Sequence, residues 1–329
     1  MLGRRFSGQF RAGDPVLVRS AAEIIQTLDE NGSLDGLPFM PEMVEFCGQS
    51  ARVLRRVEKI CVEGYPDTFR AFENNDVVLL DSARCSGANH DRCSRGCTLL
   101  WKEAWLWRRQ DGDSAPRPSG RADDPAAVAA LHSRLRTHKP GGGYSCQSTE
   151  LCSATRPLSR RSRIWVCFRE VRVGNRGPFE MAGLIARFFW RRLRRKIFGW
   201  RPRGVGTQTP NQALGLQAGE WVEVKPLSEI RATLDRNGFN RGLDFSHAMR
   251  QFCGRQFQVR SRMDRRIDEA TGEMRVLKNT VTLEGVECQC YYRFGGCPRG
   301  DLLYWREVWL KRSTQSQAEV ARIPSAGER

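Results

Sequence analysis

Alternation of apolar and polar positions in VLVRS (16–20) predicts a strand, after which the hydrophobic period lengthens. Ser20 is placed to cap a helix over AAEIIQTLDE, with Glu23 three residues on at the capping-box spacing. Asn31-Gly32 stops that helix because both residues tolerate positive φ. PEMVEFC predicts a second short helix ending at Gly48. Strands are expected at ARVLRRVEKICV (51–62), DVVLLD (76–81) and LLWKEAWLWR (99–108). RRIDEATGEMRVLKN (265–279) reads as a hairpin with Thr271-Gly272 at its tip. Between these blocks, Asp124 and Pro125 start a short helix that Pro140-Gly-Gly-Gly ends. IWVCFREVRV (164–173) reads as a strand, and MAGLIARFFWRRLRRKIFGW (181–200) as a helix.

The first block recurs. Residues 13–56 return 206 positions later with 19 of 44 identities, including Gly13/Gly219, Val16/Val222, Asp29/Asp235 and Cys47/Cys253. The match resumes at LLWKEAWLWR (99–108) and LYWREVWLKR (303–312). A duplication of a small, mainly β unit with helical insertions follows. Short strands that open on Gly-Asp/Glu-x-Val predict an α+β chain of two tandem SH3-like barrel repeats, joined by a basic helical linker. The expected division is repeat 1 at 1–108, a flexible linker at 109–143, a basic segment at 144–212, repeat 2 at 213–313 and a disordered tail at 314–329.

Composition adds two facts. Lys and Arg (54) exceed Asp and Glu (37) by 17, which favours phosphate polymers, anionic lipid or acidic partners. The excess is local: residues 154–203 hold 15 Arg and Lys against Glu170 and Glu180. Within it, Arg187, Arg191, Arg192, Arg194, Arg195 and Lys196 share a helix with Phe188, Phe189 and Trp190. Such a segment is suited to an anionic membrane surface, or to docking between the repeats with its arginines solvated, and less to nucleic acid. MLGRRFSGQFRAGD lacks a signal-peptide core, and no apolar run approaches the roughly 18 residues that span a bilayer. The expected setting is cytoplasmic, with peripheral attachment at the inner membrane.

The second fact is twelve cysteines. Cys85-x7-Cys93-x3-Cys97 has the spacing of thiolates converging on one ion, with Cys47 as a fourth sulfur and His90 or Cys146 as alternatives. Copy 2 retains Cys253, Cys288 (or Cys290) and Cys297, and carries Asp301 where copy 1 has Cys97. Zinc is the expected ion, and an iron–sulfur cluster the alternative. Cys61, Cys152 and Cys167 have no repeat partner and are expected to pack as buried thiols. The repeated Trp101-x-Glu103-x-Trp105 and Trp305-x-Glu307-x-Trp309 put like residues on one strand face. That stripe is either a ligand wall or a barrel core with its carboxylate paired to an Arg, the second reading being favoured. No Walker loop, GxSxG, HExxH or dinucleotide fingerprint occurs.

The patterns LDENGSLDGLPFMPEMVEFCG, CSGANHDRCSRGCTLLWKEAW and YSCQSTEL, with CPRGDLLYWREVWLKR in the second half, resemble a family of uncharacterised bacterial two-repeat proteins. Cys152 and Cys167 depart from its pattern. The resemblance implies the two-repeat architecture and a bacterial setting among polysaccharide or natural-product biosynthesis genes, and brings no catalytic residues. The expected function is a non-catalytic, metal-stapled scaffold that binds a protein or peptide partner. A metalloenzyme or redox accessory protein and a nucleic-acid binder through 181–203 are the alternatives.

Overall fold

A computed structural model describes residues 10–63, 69–109, 124–198, 203–205, 209–288 and 294–313. It is an α+β structure, mainly antiparallel β. Cys290, residues 110–123 of the expected linker and the expected tail from 314 on lie outside the described residues.

The chain forms two compact units that interleave the repeats. One comprises Met1–Arg194, Arg265–Val276 and Cys288–Asp301; the other comprises Arg195–Asp264, Leu277–Glu287 and Leu302–Arg329. Two segments of the second repeat thus belong to the first unit.

In the first unit a five-stranded sheet runs in the order Thr98–Lys102, Val77–Arg84, Ser50–Arg56, Pro15–Val18, Leu106–Arg108. The second unit repeats that order with Leu302–Arg306, Thr280–Glu287, Gln256–Arg262, Trp221–Val224 and Leu310–Arg312. Register is kept to the residue: Val16 pairs with Ala51, and Val222 with Phe257, both displaced by 206. A bulge falls between Val53 and Arg55 in one sheet and between Val259 and Ser261 in the other. Alternation explains the faces, since Val16, Val18, Val222 and Val224 are buried while their neighbours are partly exposed.

Ser20 accepts from the Glu23 amide, and Glu23 reaches back to Ser20, so the capping box forms. The helix it starts is only Ala21–Ile25, shorter than expected, and Thr27 Oγ1 donates to the Ile24 carbonyl just past its end. PEMVEF is a 3-10 helix. LLWKEAWLWR is not one strand: Glu103–Trp105 is a 3-10 turn that carries the chain from one sheet edge to the other, and Glu307–Trp309 does the same in copy 2. ARVLRRVEKICV likewise divides into Ser50–Arg56 and Ile60–Cys61.

IWVCFREVRV is helical as far as Arg172, within the helix Arg160–Arg172 that Val173 ends, and corrects the expected strand. Ser159 caps it by accepting from the Ser162 amide, and Val166, Cys167 and Glu170 form its buried stripe at helical spacing. Pro178–Phe198 is a helix, as is Pro125–Arg134 with Asp124 capping it. Among the described residues no helix is long and apolar enough to cross a membrane.

Candidate functional site

The aromatic stripes are core. Trp101, Trp105, Trp305 and Trp309 are fully buried, and Phe39 meets Trp105 edge-on at 5.1 Å, as Phe245 meets Trp309 at 5.3 Å. Each second Trp donates its indole N–H to a threonine, Trp105 to Thr27 and Trp309 to Thr233, both at 3.0 Å. Glu103 is buried against Arg56, and Glu307 against Arg262, the residue 206 positions on. Glu103 also accepts from the Phe10 amide, and Glu307 from those of Gly215 and Leu216. These six side chains offer no face to a ligand.

The chemistry-bearing residues collect in the first unit, around the loop between Val77–Arg84 and Thr98–Lys102. The Cys85 amide closes its base on the Cys97 carbonyl at 2.8 Å, and the Cys288 amide does the same to Asp301 at 2.7 Å. That shared bond identifies Cys288 as the partner of Cys85 and Asp301 as the partner of Cys97. Cys85, His90, Cys93, Cys97 and Cys146 line one cavity of about 30 Å³ with Arg95, Ser148 and Arg299. At roughly 10–15 Å³ per water, that is space for about two waters.

The cysteines there have separate roles. Cys97 Sγ lies 3.3 Å from Ser148 Oγ, and Cys93 Sγ accepts from the Ile267 amide at 3.4 Å. Burial pushes the Cys85 thiol far up, the Cys146 thiol up to about 11, and Cys97 upward as well. As placed, these are protonated thiols and poor nucleophiles. Cys146 precedes the short helix Gln147–Glu150, whose Gln147 amide group accepts from the Leu100 N–H and donates to its carbonyl, both at 2.8 Å.

His90 is fixed at both ring nitrogens, Nδ1 by Glu42 at 2.7 Å and Nε2 by the Ser145 carbonyl at 3.0 Å. Because both partners are acceptors, this geometry suits an imidazolium facing a carboxylate. Burial works against both charges, but their mutual hydrogen bond and attraction outweigh it, holding Glu42 below and His90 above their ordinary values. The sign follows for each. His90 stabilises fully below its unfolded value, near 6.5, and the gain is lost as pH rises through its raised folded value. Glu42 stabilises fully above its unfolded value, near 4.5, and loses this as pH falls through its depressed folded value. Thermal melts are therefore expected to show wild-type stability falling as pH rises above 6.5, and Glu42→Gln is expected to flatten that limb. Parallel profiles for the two proteins would refute the assignment.

The remaining predicted positions are dispersed. Cys47 and Cys253 each end a 3-10 helix and pack against the core of their own unit, away from the cavity. Cys288 packs on the first unit's core, Cys297 touches Cys61, and Asp301 pairs with Arg299 at 3.1 Å. Among the described residues no group of three or more His, Cys, Asp or Glu side chains is arranged to hold a metal ion. Arg187 and Arg192 are exposed on the Pro178–Phe198 helix, which also carries Arg191, Arg194, Arg195 and Lys196.

Sequence reasoning missed the centre of this assembly. Cys93-Ser-Arg95-Gly96 and Cys297-Pro-Arg299-Gly300 are equivalent loops, and both arginines grip Glu269, Arg95 at 2.9 Å and Arg299 at 2.6 Å. The exchange is reciprocal. Arg95 donates to the carbonyl of Ile267, and Arg299 to that of Cys61, residues 206 apart. Cys93 meets Ile267, and Cys297 meets Cys61. Each Cys-x-Arg-Gly loop thus sits on the hairpin contributed by the other copy, inside one compact unit. The visible signal was the Arg two residues after the retained Cys in both copies.

Scans of protein-family models, curated proteins and solved structures find no match to this chain.

Proposed function

We propose that this chain is a non-catalytic scaffolding protein that attaches to an anionic membrane surface through the helices between its repeats. The observation that carries the reading is bulky apolar exposure concentrated in an arginine-rich stretch, which holds seven of the eleven large hydrophobic side chains exposed among the described residues. Ile164, Trp165 and Phe168 are exposed on Arg160–Arg172, as are Phe179, Phe189, Trp190 and Leu193 on Pro178–Phe198. At 100° per residue, Phe179, Phe189, Trp190 and Leu193 fall on one face, opposite the buried Met181 and Leu184. Aromatic rings that enter the head-group layer, flanked by cations, are the physical requirement for interfacial binding.

The β units would then present partners to one another or to a pathway enzyme, in keeping with the resemblance to two-repeat proteins of bacterial biosynthetic gene sets. An SH3-like barrel in each repeat is supported by the meander of four strands whose fifth returns, through a 3-10 turn, to the first. A non-catalytic role is supported by the structural partners that occupy His90, Glu42, Arg95 and Arg299.

Sedimentation with vesicles tests the attachment. Full-length chain is expected to pellet with phosphatidylcholine vesicles containing phosphatidylglycerol, and much less with phosphatidylcholine alone. Replacing Arg187, Arg191, Arg192 and Arg194 by Gln is expected to weaken binding at least about a hundredfold, at about 1 kcal/mol per charge near the surface. Trp190→Ala with Trp165→Ala is expected to weaken it without changing its dependence on anionic lipid. No binding to anionic vesicles, or a salt-steep preference for oligonucleotides over them, would refute the proposal.

A further inference from the structure

We propose that Cys61 and Cys297 are an oxidative crosslinking site, which closes to a disulfide when the chain meets a small-molecule disulfide such as oxidised glutathione. Their sulfurs are 3.3 Å apart across 236 residues of sequence. Both lie in the first unit, Cys61 at the end of the short strand Ile60–Cys61 and Cys297 in the segment Cys288–Asp301. A disulfide needs about 2.05 Å between sulfurs, so small side-chain rotations suffice where the backbone already brings the thiols into contact.

The surroundings single out this pair. The equivalent contact on the other side of the reciprocal clasp joins Cys93 to Ile267, so only one of the two positions carries a sulfur on both partners. Arg299, two residues after Cys297, donates to the Cys61 carbonyl at 3.1 Å and ties the loop to the strand. Both residues are buried, Cys61 the less so at 8% exposure against 2% for Cys297.

The chemistry balances without any group from elsewhere in the chain. Cys61, deprotonated to solvent, attacks one sulfur of glutathione disulfide and releases one glutathione thiol. Cys297 loses its proton and attacks the Cys61 sulfur of that mixed disulfide, releasing the second glutathione. Two protein thiols and one glutathione disulfide become one protein disulfide and two glutathione thiols. The product ties the second repeat's segment covalently to the first repeat's hairpin. In a reducing compartment the pair stays dithiol, so the bond marks oxidation.

The test is a peptide map of the folded, full-length chain after incubation with oxidised glutathione, maleimide blocking and digestion without reduction. The expected product is a peptide pair joined through Cys61 and Cys297, exceeding any other cysteine pair at least about tenfold because contact sets the effective concentration. In Cys61→Ser, Cys297 is expected to be recovered as its maleimide adduct. If that variant fails to fold, the wild-type map alone decides. Recovery of both cysteines as maleimide adducts, as separate glutathione adducts or joined to other cysteines would overturn the proposal.

Discussion

Glu269→Ala is expected to lower the unfolding free energy of the first unit by about 3–5 kcal/mol at pH 7, the range for removing one partner from a buried ion pair. Glu269 is 4% exposed and receives Arg299 through both terminal nitrogens, at 3.1 and 2.6 Å, and Arg95 at 2.9 Å. Without the carboxylate, two buried guanidinium groups face each other across the space it filled. Asp301 and Glu63 still pair with one guanidinium each, at 3.1 and 3.3 Å, but each makes a single contact with these two arginines where Glu269 makes three. Burial alone would raise the Glu269 pKa, yet the charge and hydrogen bonds of Arg299, with the charge of Arg95, hold it below the ordinary carboxylate range. Its contribution is therefore present above the unfolded carboxylate value and is lost as pH falls through the folded one. Arg275→Ala is the control, because its 3.0 Å pair with Glu273 is more than half exposed on both sides and is worth at most about 1 kcal/mol. Replacing Arg95, Glu269 and Arg299 together by apolar residues is expected to recover much of the loss, as hydrophobic substitutes avoid the desolvation of all three charges. Urea unfolding of the four proteins decides the matter. Equal midpoints for Glu269→Ala and Arg275→Ala would show that the clasp contributes little.

What the sequence disclosed and what it hid divide along a physical line. Contacts that recur inside each copy were legible, because an offset of 206 carries Val16 onto Val222 and Arg56 onto Arg262 with their registers intact. The capped turn at Ser20 and the Thr271-Gly272 hairpin follow from local chemistry and form as expected. The helix Arg160–Arg172 was misread because IWVCFREVRV is rich in β-branched and aromatic residues. Its helical stripe is narrow, and its Glu170 is held by Lys59 at 3.0 Å, a partner 111 residues away. Trp101, Glu103 and Trp105 were expected on one strand face, but a 3-10 turn intervenes to reach the opposite edge of the sheet. The reciprocal seating of the Cys-x-Arg-Gly loops was hidden for a different reason. A repeat states which residues are equivalent, and it is silent on whether equivalent segments pack within a copy or are exchanged. The cysteines of those loops drew the reading towards metal, while the arginines beside them make the contacts with Glu269.

Gly87→Ala is expected to cost about 3 kcal/mol or more, combining backbone strain with a steric collision. Gly87 has φ +67°, in the left-handed region, and a Cβ built there would stand 2.0 Å from the Cys93 carbonyl oxygen and 2.8 Å from its carbon. Both obstacles are backbone, so no side-chain rotation relieves them. The loop depends on this closeness: the His90 amide donates to the Gly87 carbonyl, the Cys93 amide to that of His90, and the turn delivers His90 to Glu42. A methyl group at position 87 must therefore displace Cys93 from the Ile267 amide or His90 from the carboxylate. Gly174→Ala separates strain from collision, since Gly174 has φ +77° with nothing within 4 Å of its Cβ position, and about 1 kcal/mol is expected there. Gly295→Ala tests the same clasp from the other copy, where the nearest atoms are the Cys167 sulfur at 2.6 Å and the Lys59 ammonium at 2.8 Å. Those are side-chain ends, but both are buried and Lys59 is anchored by Glu170 and the Gly295 carbonyl, so an intermediate loss is expected. Melting temperatures in the order Gly174→Ala, Gly295→Ala, Gly87→Ala, from highest to lowest, would place the greatest rigidity in the Cys85–Cys97 loop. A Gly87→Ala protein as stable as Gly174→Ala would mean that the loop relaxes, and that its hold on His90 and Cys93 is looser than these distances imply.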